Sequence, residues 1–505
     1  MSSLLYDLTK TKRRKAAKRP SAAQQPSSEP LTAQQSALAR CTPDGLIQVN
    51  AYAGTGKTSS LCALASQNPG KNCLYLAFNK SAQQDAAHRF GPNTRCITVH
   101  GLAFATHGKR YARKLGQPRS IDIIRKMGLP WDWTLARMVI DTVNAWCVSD
   151  WTEFPKKAQT VDGPVLGNRA TVEMAAAIAK KVWVRMCDPD DDMQMPHDGY
   201  LKLYQLDQPK IGADLLMLDE AQDTNPVTWA IVKNQTCPVV IVGDRYQSIY
   251  KFRGAMNAMN AVKPTQSFPL TQSFRFGPRV ARIATELLAA FHHETLAVEG
   301  LGPDTVIGSI PKSTPRALLA RTNALVFHHA ATAIREGKSL GFVGGVNAYG
   351  FDKLLEVNKL AQKRHSEIRD EFIKGFANFN QFALYADESG DLEAKRQIDI
   401  VASYGQDLEE LVPSIYSAAE TDLSKAFLVL ATAHRSKGLT MDHVMLADDF
   451  PEILDASGAP IEEGELDRQE INLLYVALTR SRRTLQLNRS TRDFVEGCGA
   501  GEILR

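Results

Sequence analysis

The chain has no run of about eighteen consecutive apolar residues, the length that a helix needs to cross a bilayer core. Its first residues also lack an apolar segment followed by a small-residue cleavage site. The sequence therefore reads as neither membrane-spanning nor exported. It has no CxxC pair: eight cysteines are scattered at Cys41, Cys62, Cys73, Cys96, Cys147, Cys187, Cys237 and Cys498, with no set of histidines beside them. That pattern excludes a structural zinc site and a disulfide framework, and it suits reduced thiols in an intracellular protein. Nor is there a large excess of one charge. A formal net charge of +5 permits a polyanionic partner without requiring one.

What is present begins with length. A chain of 505 residues, 44% hydrophobic, exceeds what one core usually supports, so two or more domains are expected. Residues 10–19 carry seven basic side chains in ten positions and are followed by Pro, Ser, Ala and Gln up to Pro30. Such a composition buries no core, and residues 1–30 read as a disordered basic tail. Two readings of it stand, a nonspecific nucleic-acid tether or nuclear-import signal and a merely solubilising segment. The acidic stretch CDPDDDM (residues 187–193) lacks the glycine of an EF-hand and reads as a solvated loop.

Five short apolar runs end abruptly in polar residues: LIQVNAYAG, CLYLAFNK, DLLMLDEAQD, PVVIVGDRYQ and FLVLATAHRSKG. Runs of four to six Leu, Val and Ile residues mark strands buried on both faces of a parallel sheet. In an open α/β sheet, ligands bind beyond the carboxyl ends of the strands, so these polar tips are expected to meet in one crevice.

The first tip, residues 51–58, fits a phosphate-binding loop in relaxed form, with Ala51 where glycine is usual. Ala53, Gly54, Thr55 and Gly56 would offer backbone N–H groups to an anion, Lys57 would reach the terminal phosphates, and Thr58 would ligate Mg²⁺. At a second tip Asp219 would hold Mg²⁺, while Glu220 would orient and deprotonate the attacking water. A third carries Gln247 as a γ-phosphate sensor. Nearby, Tyr250, Phe252 and Arg253 alternate rings and a cation in a way that suits stacked bases and a sugar-phosphate backbone.

From residue 31 to residue 487 these blocks, with others between them, resemble superfamily-one DNA helicases of the UvrD/Rep type, and more closely their F-box DNA helicase branch. LTAQQ resembles the adenine-reading Q motif, with Gln35 as reader. LYLAFNK and ITVHGLAF resemble blocks lining the single-strand path. LTQSFRF, ATAHRSKGL and NLLYVALTRSRR complete the order. The resemblance implies that Arg275 and Arg480 face the triphosphate from a second lobe and that Phe274 stacks on adenine. It also implies DNA contacts at Phe78, Asn79, Thr98, His100, Tyr250, Phe252, Arg253, Thr432 and His434. Two departures accompany it. Thr440 stands where relatives carry Glu after KGL, and no F-box is seen ahead of the motor blocks, so recruitment to a ubiquitin ligase is not expected.

The expected fold is α/β, two RecA-like parallel-sheet domains with helical insertions. The first lobe is assigned to 31–103 with 209–269, the second to 270–355 with 424–505. A helical insertion occupies 104–208 and a smaller one 356–423. The first holds Trp131, Trp133, Trp146, Trp151 and Trp183, either filling its core or touching DNA. The expected function is an ATP- and Mg²⁺-dependent motor on single-stranded DNA and single/double-strand junctions. It would move 3′ to 5′, unwinding duplex or remodelling protein–DNA complexes, as a monomer in the cytoplasm or nucleoid, or in a nucleus. The alternatives are an ATPase that strips recombinase or other proteins from single strands with little unwinding, and an ATP-gated binding switch.

Overall fold

The structure, a computed structural model, describes residues 30–504 apart from residues 131 and 389. The basic segment 10–19 and Trp131 lie outside the described residues.

Two parallel sheets organise the chain. The first contains β1 (Leu46–Ala51), β2 (Cys73–Ala77), β3 (Thr94–Thr98), β4 (Leu215–Leu218), β5 (Val239–Gly243) and β6 (Gln266–Leu270), in the spatial order β3-β2-β4-β5-β1-β6. The central strands LLML and VVIVG are buried at every position, which is why they read as unbroken apolar runs. Register aligns Val49 with Val242 and Leu76 with Leu218, bringing the polar tips to one edge.

The second sheet contains β7 (Val306–Ile307), β8 (Arg316–Ala320), β9 (Leu340–Phe342), β10 (Ala419–Glu420), β11 (Leu428–Thr432), β12 (Met441–Leu446) and β13 (Ser481–Gln486). Its order is β7-β13-β12-β8-β11-β9-β10. The fifth apolar run of the sequence, LVLAT, is β11. All strand pairs in both sheets are parallel, so the fold is the α/β class expected, with two large parallel sheets.

Between β3 and β4 the chain forms helices Trp133–Val148, Arg169–Cys187 and His197–Leu206, with a two-strand hairpin at Gln159–Thr160 and Gly163–Pro164. Between β9 and β10 it forms helices Asp352–Ala361, Phe379–Glu388, Leu392–Tyr404 and Leu408–Ala418. These two helical regions touch. Trp133 of the first packs on Phe372 and Phe376 of the second at ring-centroid distances of 5.1 and 5.6 Å. A Cβ on Gly375 would lie 2.5 Å from Trp133 Cζ2, so the helix end meets the indole with no space to spare. The tryptophans divide: Trp133 and Trp146 are buried, Trp183 is half-buried and Trp151 is exposed. No helix among the described residues is long and apolar enough to cross a membrane.

Candidate nucleotide and strand site

β1 runs into the glycine loop, and the helix Lys57–Ser66 follows it. Gly54 and Gly56 adopt φ of 79° and 76°, a left-handed backbone natural to glycine. At Gly54 contact adds a second constraint, because a Cβ there would fall 2.5 Å from Ser273 Oγ and 2.7 Å from Arg275 Cβ. The loop is therefore pressed against the chain just beyond β6.

Lys57 Nζ lies 3.0 Å from Glu220 Oε1. Glu220 sits just past β4 at φ 50°, strained for a non-glycine residue, and its N–H donates to Asp219 Oδ1 at 2.8 Å. Gln222 donates to the other Glu220 oxygen, and Tyr75 donates its hydroxyl to Asp219 Oδ2. Burial pushes the Glu220 carboxyl up, but Lys57 and Lys437 outweigh it and hold the group low. Burial and the neighbouring Glu220 push Asp219 the other way. The pair therefore holds one firmly ionised carboxylate beside one that resists ionisation, an arrangement that a divalent cation would relieve.

The crevice around these groups measures about 370 Å³. Gly54, Thr55, Gly56, Lys57, Thr58, Asp219, Glu220 and Gln247 line it from the first lobe, and Arg275, Lys437 and Arg480 from the chain beyond β6. Arg275 Nη1 donates to Thr479 O at 3.1 Å, and burial pushes its guanidinium down. Arg480 is fully buried and donates to Val476 O at 2.7 Å, Leu439 O at 3.3 Å and Thr479 Oγ1 at 2.9 Å. It reaches the crevice with much of its donor fork already engaged in its own lobe. Gln247 Nε2 donates to Asp244 Oδ2 at 2.7 Å.

Ala53 supplies its N–H to Tyr475 Oη at 3.2 Å rather than to the open crevice. Gln35 is buried. Its Oε1 accepts from Thr32 N at 3.0 Å and its Nε2 donates to Thr55 O at 3.1 Å, so the amide ties the capping box of the first helix to the glycine loop. Phe274 is exposed beside Gly56, at the mouth of the same crevice.

The ring-bearing residues form a track leading away from the crevice. Phe78 and Tyr250 border the crevice with centroids 6.0 Å apart and planes tilted by 14°. Tyr250 leads to Phe252 at 6.1 Å, and the Phe252 ring meets His434 edge-on at 5.7 Å. Arg253 lies 5.4 Å from the Tyr250 ring centroid and 5.7 Å from that of Phe252. Burial pushes His434 down to about 4, so it presents a neutral ring at physiological pH.

Other residues expected on this path are occupied in local structure. Asn79 caps the helix Lys80–Arg89 through Ala82 N, and Thr98 caps the helix Val99–Ala103 through Gly101 N. His100 Nε2 lies 3.0 Å from Asp198. Thr432, 7% exposed, ends β11 two residues before His434.

Two site residues escaped the sequence. Tyr475 donates to Asp244 Oδ2 at 3.1 Å while accepting from Ala53 N, and so bridges the lobes beneath the phosphate loop. Lys437 pairs with Asp223, donates to Gln247 O at 2.7 Å and stands 5.2 Å from the Tyr250 ring centroid. Lys437 lies within a quoted block, yet nothing in sequence spacing tells which cation crosses to the other lobe. Tyr475 sits in LLYVAL, where a hydroxyl is masked by an apolar helical pattern.

A glycine loop and paired carboxylates on one parallel sheet, facing arginines from beyond a second sheet boundary, define a P-loop nucleotide-binding site built between two lobes. Comparison with known proteins narrows the class. The family model for the UvrD/REP helicase N-terminal domain matches residues 206–268, and that for the UvrD-like helicase C-terminal domain matches residues 285–491. Between them they span more than half of the chain, which belongs to the UvrD/Rep-like helicase family. It is 33% identical over 487 residues to F-box DNA helicase 1 of Gallus gallus, covering 88% of this chain and 47% of that protein. It is 30% identical over 545 residues to F-box DNA helicase protein 1 of Schizosaccharomyces pombe, covering 95% and 60% respectively. The ATP-dependent DNA helicase Rep of Escherichia coli is 28% identical over 162 residues, 29% of this chain and 24% of Rep. The chain thus spans about half to three-fifths of the length of the F-box relatives.

Proposed function

We propose that this chain is a motor that hydrolyses ATP with Mg²⁺ and moves 3′ to 5′ along single-stranded DNA, unwinding duplex at junctions. The observation that carries the reading is that Tyr250 and Lys437 belong to both places. Each lines the crevice, and each contacts the ring track or its backbone. Occupancy of one is thereby felt in the other. The DNA helicases named above agree with this reading, and the 3′ to 5′ direction rests on family resemblance.

The donor set fits a magnesium nucleotide. Two positive-φ glycines, a lysine, a hydroxyl and a carboxylate whose ionisation is penalised by burial surround a crevice of adequate size. Thr58 and Asp219 would hold Mg²⁺, which when bound draws charge from the phosphate oxygens. Phe274 would stack on the base, with Gln35 beside it. In this arrangement Lys57 is held by Glu220. A triphosphate would compete for Lys57, and losing that cation would raise the proton affinity of Glu220, making it a competent base toward water. Arg275 and Arg480 would meet the charge spreading over the γ-oxygens, and Gln247 would report it to Asp244. Because the arginines come from beyond the first lobe, hydrolysis depends on closure. The rings of Phe78, Tyr250 and Phe252, with Arg253, would grip any base sequence.

The second helical region packs on the first rather than standing free, which favours a second reading, removal of proteins such as recombinase from single strands with little unwinding. The chain would act as a monomer wherever cellular DNA lies. ATP turnover with and without single-stranded DNA, run beside unwinding of duplexes with 3′ or 5′ tails, tests the proposal. DNA-stimulated turnover with displacement only from 3′ tails is expected, whereas turnover indifferent to DNA would refute it. Displacement of a bound protein without strand separation would select the second reading.

A further inference from the structure

Only four aromatic side chains are exposed among the described residues: Phe78, Phe252, Phe274 and Trp151. The first three belong to the crevice and the track. Trp151 belongs to neither, and it is 38% exposed in a region whose other described indoles, Trp133, Trp146 and Trp183, are buried or half-buried. Leaving a large ring in water forfeits burial that the same region uses elsewhere.

The loop bearing Trp151 is held rigidly. Lys202, itself fully buried, donates to Ser149 O at 3.0 Å and to Trp151 O, with its ammonium 4.0 Å from the centroid of the Trp146 ring. Among the described residues no carboxylate hydrogen-bonds this cation, and burial pushes it down to about 8. A buried ammonium that spends its donors on two carbonyls of one turn fixes that turn in place. Phe154 rests on Trp146 at 5.2 Å, and Ala158 N donates to Val172 O at 2.9 Å. What this scaffold presents is a shallow groove of about 400 Å³ lined by Trp151, Glu153, Pro155, Lys156, Lys157 and Gln159. Both lysines are exposed.

The same segment reaches the ring track at its other end. A Cβ on Gly254 would fall 2.8 Å from Val148 Cγ2 and 3.7 Å from Val161 Cγ1, so the segment leans on the backbone that follows Arg253. Thr160, Val161 and Asp162 share a cavity of about 710 Å³ with Phe252 and Arg253. Two of the aspartates in that cavity are partnered, Asp141 by Arg137 at 2.9 Å and Asp198 by His100 at 3.0 Å.

We infer that the groove at Trp151 is a second single-strand site, in which a base stacks on the indole against Pro155 while Lys156 and Lys157 take backbone phosphates. Its occupant is the continuation of the strand held at Phe252, so the inference rests on the function proposed above. The indole is exposed and its turn is fixed, and two exposed lysines follow it. Asp150 and Glu153 of the same turn are exposed as well, so the lysines are the groups that a phosphate backbone would select.

The test measures affinity of the full chain for labelled oligothymidylate of about 8 and about 24 nucleotides, lengths bracketing common single-strand site sizes. Trp151→Ala is expected to weaken binding of the long strand about tenfold and to leave the short strand within about twofold. Trp151→Phe is expected to restore most of the loss, since a smaller ring still stacks. Replacing Lys156 and Lys157 by Gln is expected to lower the slope of log affinity against log salt by about one to two, again for the long strand only. Equal long-strand affinity for wild type and Trp151→Ala would overturn the inference, as would an equal loss at both lengths, which would mean displacement of Phe252. Phe252→Ala separates the two levels. If it weakens both lengths while Trp151→Ala weakens neither, the second site fails and the motor reading stands. If Phe252→Ala weakens neither, the motor reading fails with it.

Discussion

The lobes of this chain meet in two places built on opposite physical principles. At the nucleotide crevice polar contacts cross between the lobes, Lys437 on Asp223 and Gln247 O and Tyr475 on Asp244, with the rings of Tyr246 and Tyr475 6.5 Å apart beside them. A buried oxygen there, Asp223 Oδ1, has no hydrogen-bond partner among the described residues. Between the helical regions the contact is a dry cluster of Trp133, Phe372, Phe376, Phe382 and Tyr385, with ring centroids 5.1 to 6.4 Å apart. A polar seam can exchange partners with a ligand at small net cost, whereas a packed aromatic seam cannot loosen without losing its burial. The crevice is thus the seam expected to open and close, and the aromatic contact the pivot expected to stay packed while it does.

That contrast can be broken most forcefully at the pivot. Trp133→Ala is expected to cost about 3–5 kcal/mol of stability in chemical unfolding, because it empties the centre of the aromatic cluster. Lys57→Ala acts at the other seam. We expect ATP turnover to fall by about a hundredfold or more, about 2.7 kcal/mol in barrier, with stability and single-strand binding little changed. Robust hydrolysis by that variant would remove Lys57 from the site. Tyr475→Phe deletes one hydroxyl that serves both lobes and is expected to raise the KM for ATP about tenfold, roughly 1–2 kcal/mol.

The polar seam should also be pH-sensitive. Burial pushes Asp223 up to about 6 against the attraction of Lys437. At pH 7.5 it is therefore ionised and paired. As pH falls through about 6 it protonates and the charge pair with Lys437 is lost, so DNA stimulation of turnover is expected to decline over that interval, and Asp223→Asn is expected to flatten the step. At the edge of the pivot, the Arg125–Glu371 pair is exposed, with N and O 2.8 Å apart. Arg125→Ala is expected to change stability by less than about 0.5 kcal/mol. A larger loss would mean that ion pairs, and not rings, hold the pivot.

Which parts were legible in the sequence follows from how local the physics is. Strands such as LLML and VVIVG announce themselves because burial on both faces leaves no polar alternation, and the ends of parallel strands fix where their tips point. Hence Lys57, Asp219, Glu220 and Gln247 could be gathered before any fold was known. Gln35 was expected as an adenine reader from resemblance alone; that its amide reaches Thr55 O of the loop was not legible, though the Thr32–Gln35 spacing of a capping box was there to be read. The pivot was not legible. Nothing near Trp133 reveals that Phe372 and Phe376, more than two hundred positions away, will cover it. Lys202 and Tyr475 were hidden for a related reason, since a polar group inside an apolar helix shows its partner only when another segment folds against it.

The central claim, that fuel and strand share one wall, is tested most directly by steady-state ATP hydrolysis of the wild-type chain and of Arg275→Ala, each with and without saturating single-stranded DNA. The account predicts at least about tenfold stimulation of the wild type by DNA, and near-complete loss of turnover in Arg275→Ala with strand binding retained. Wild-type turnover unaffected by DNA, or an Arg275→Ala variant that hydrolyses ATP normally, would contradict it.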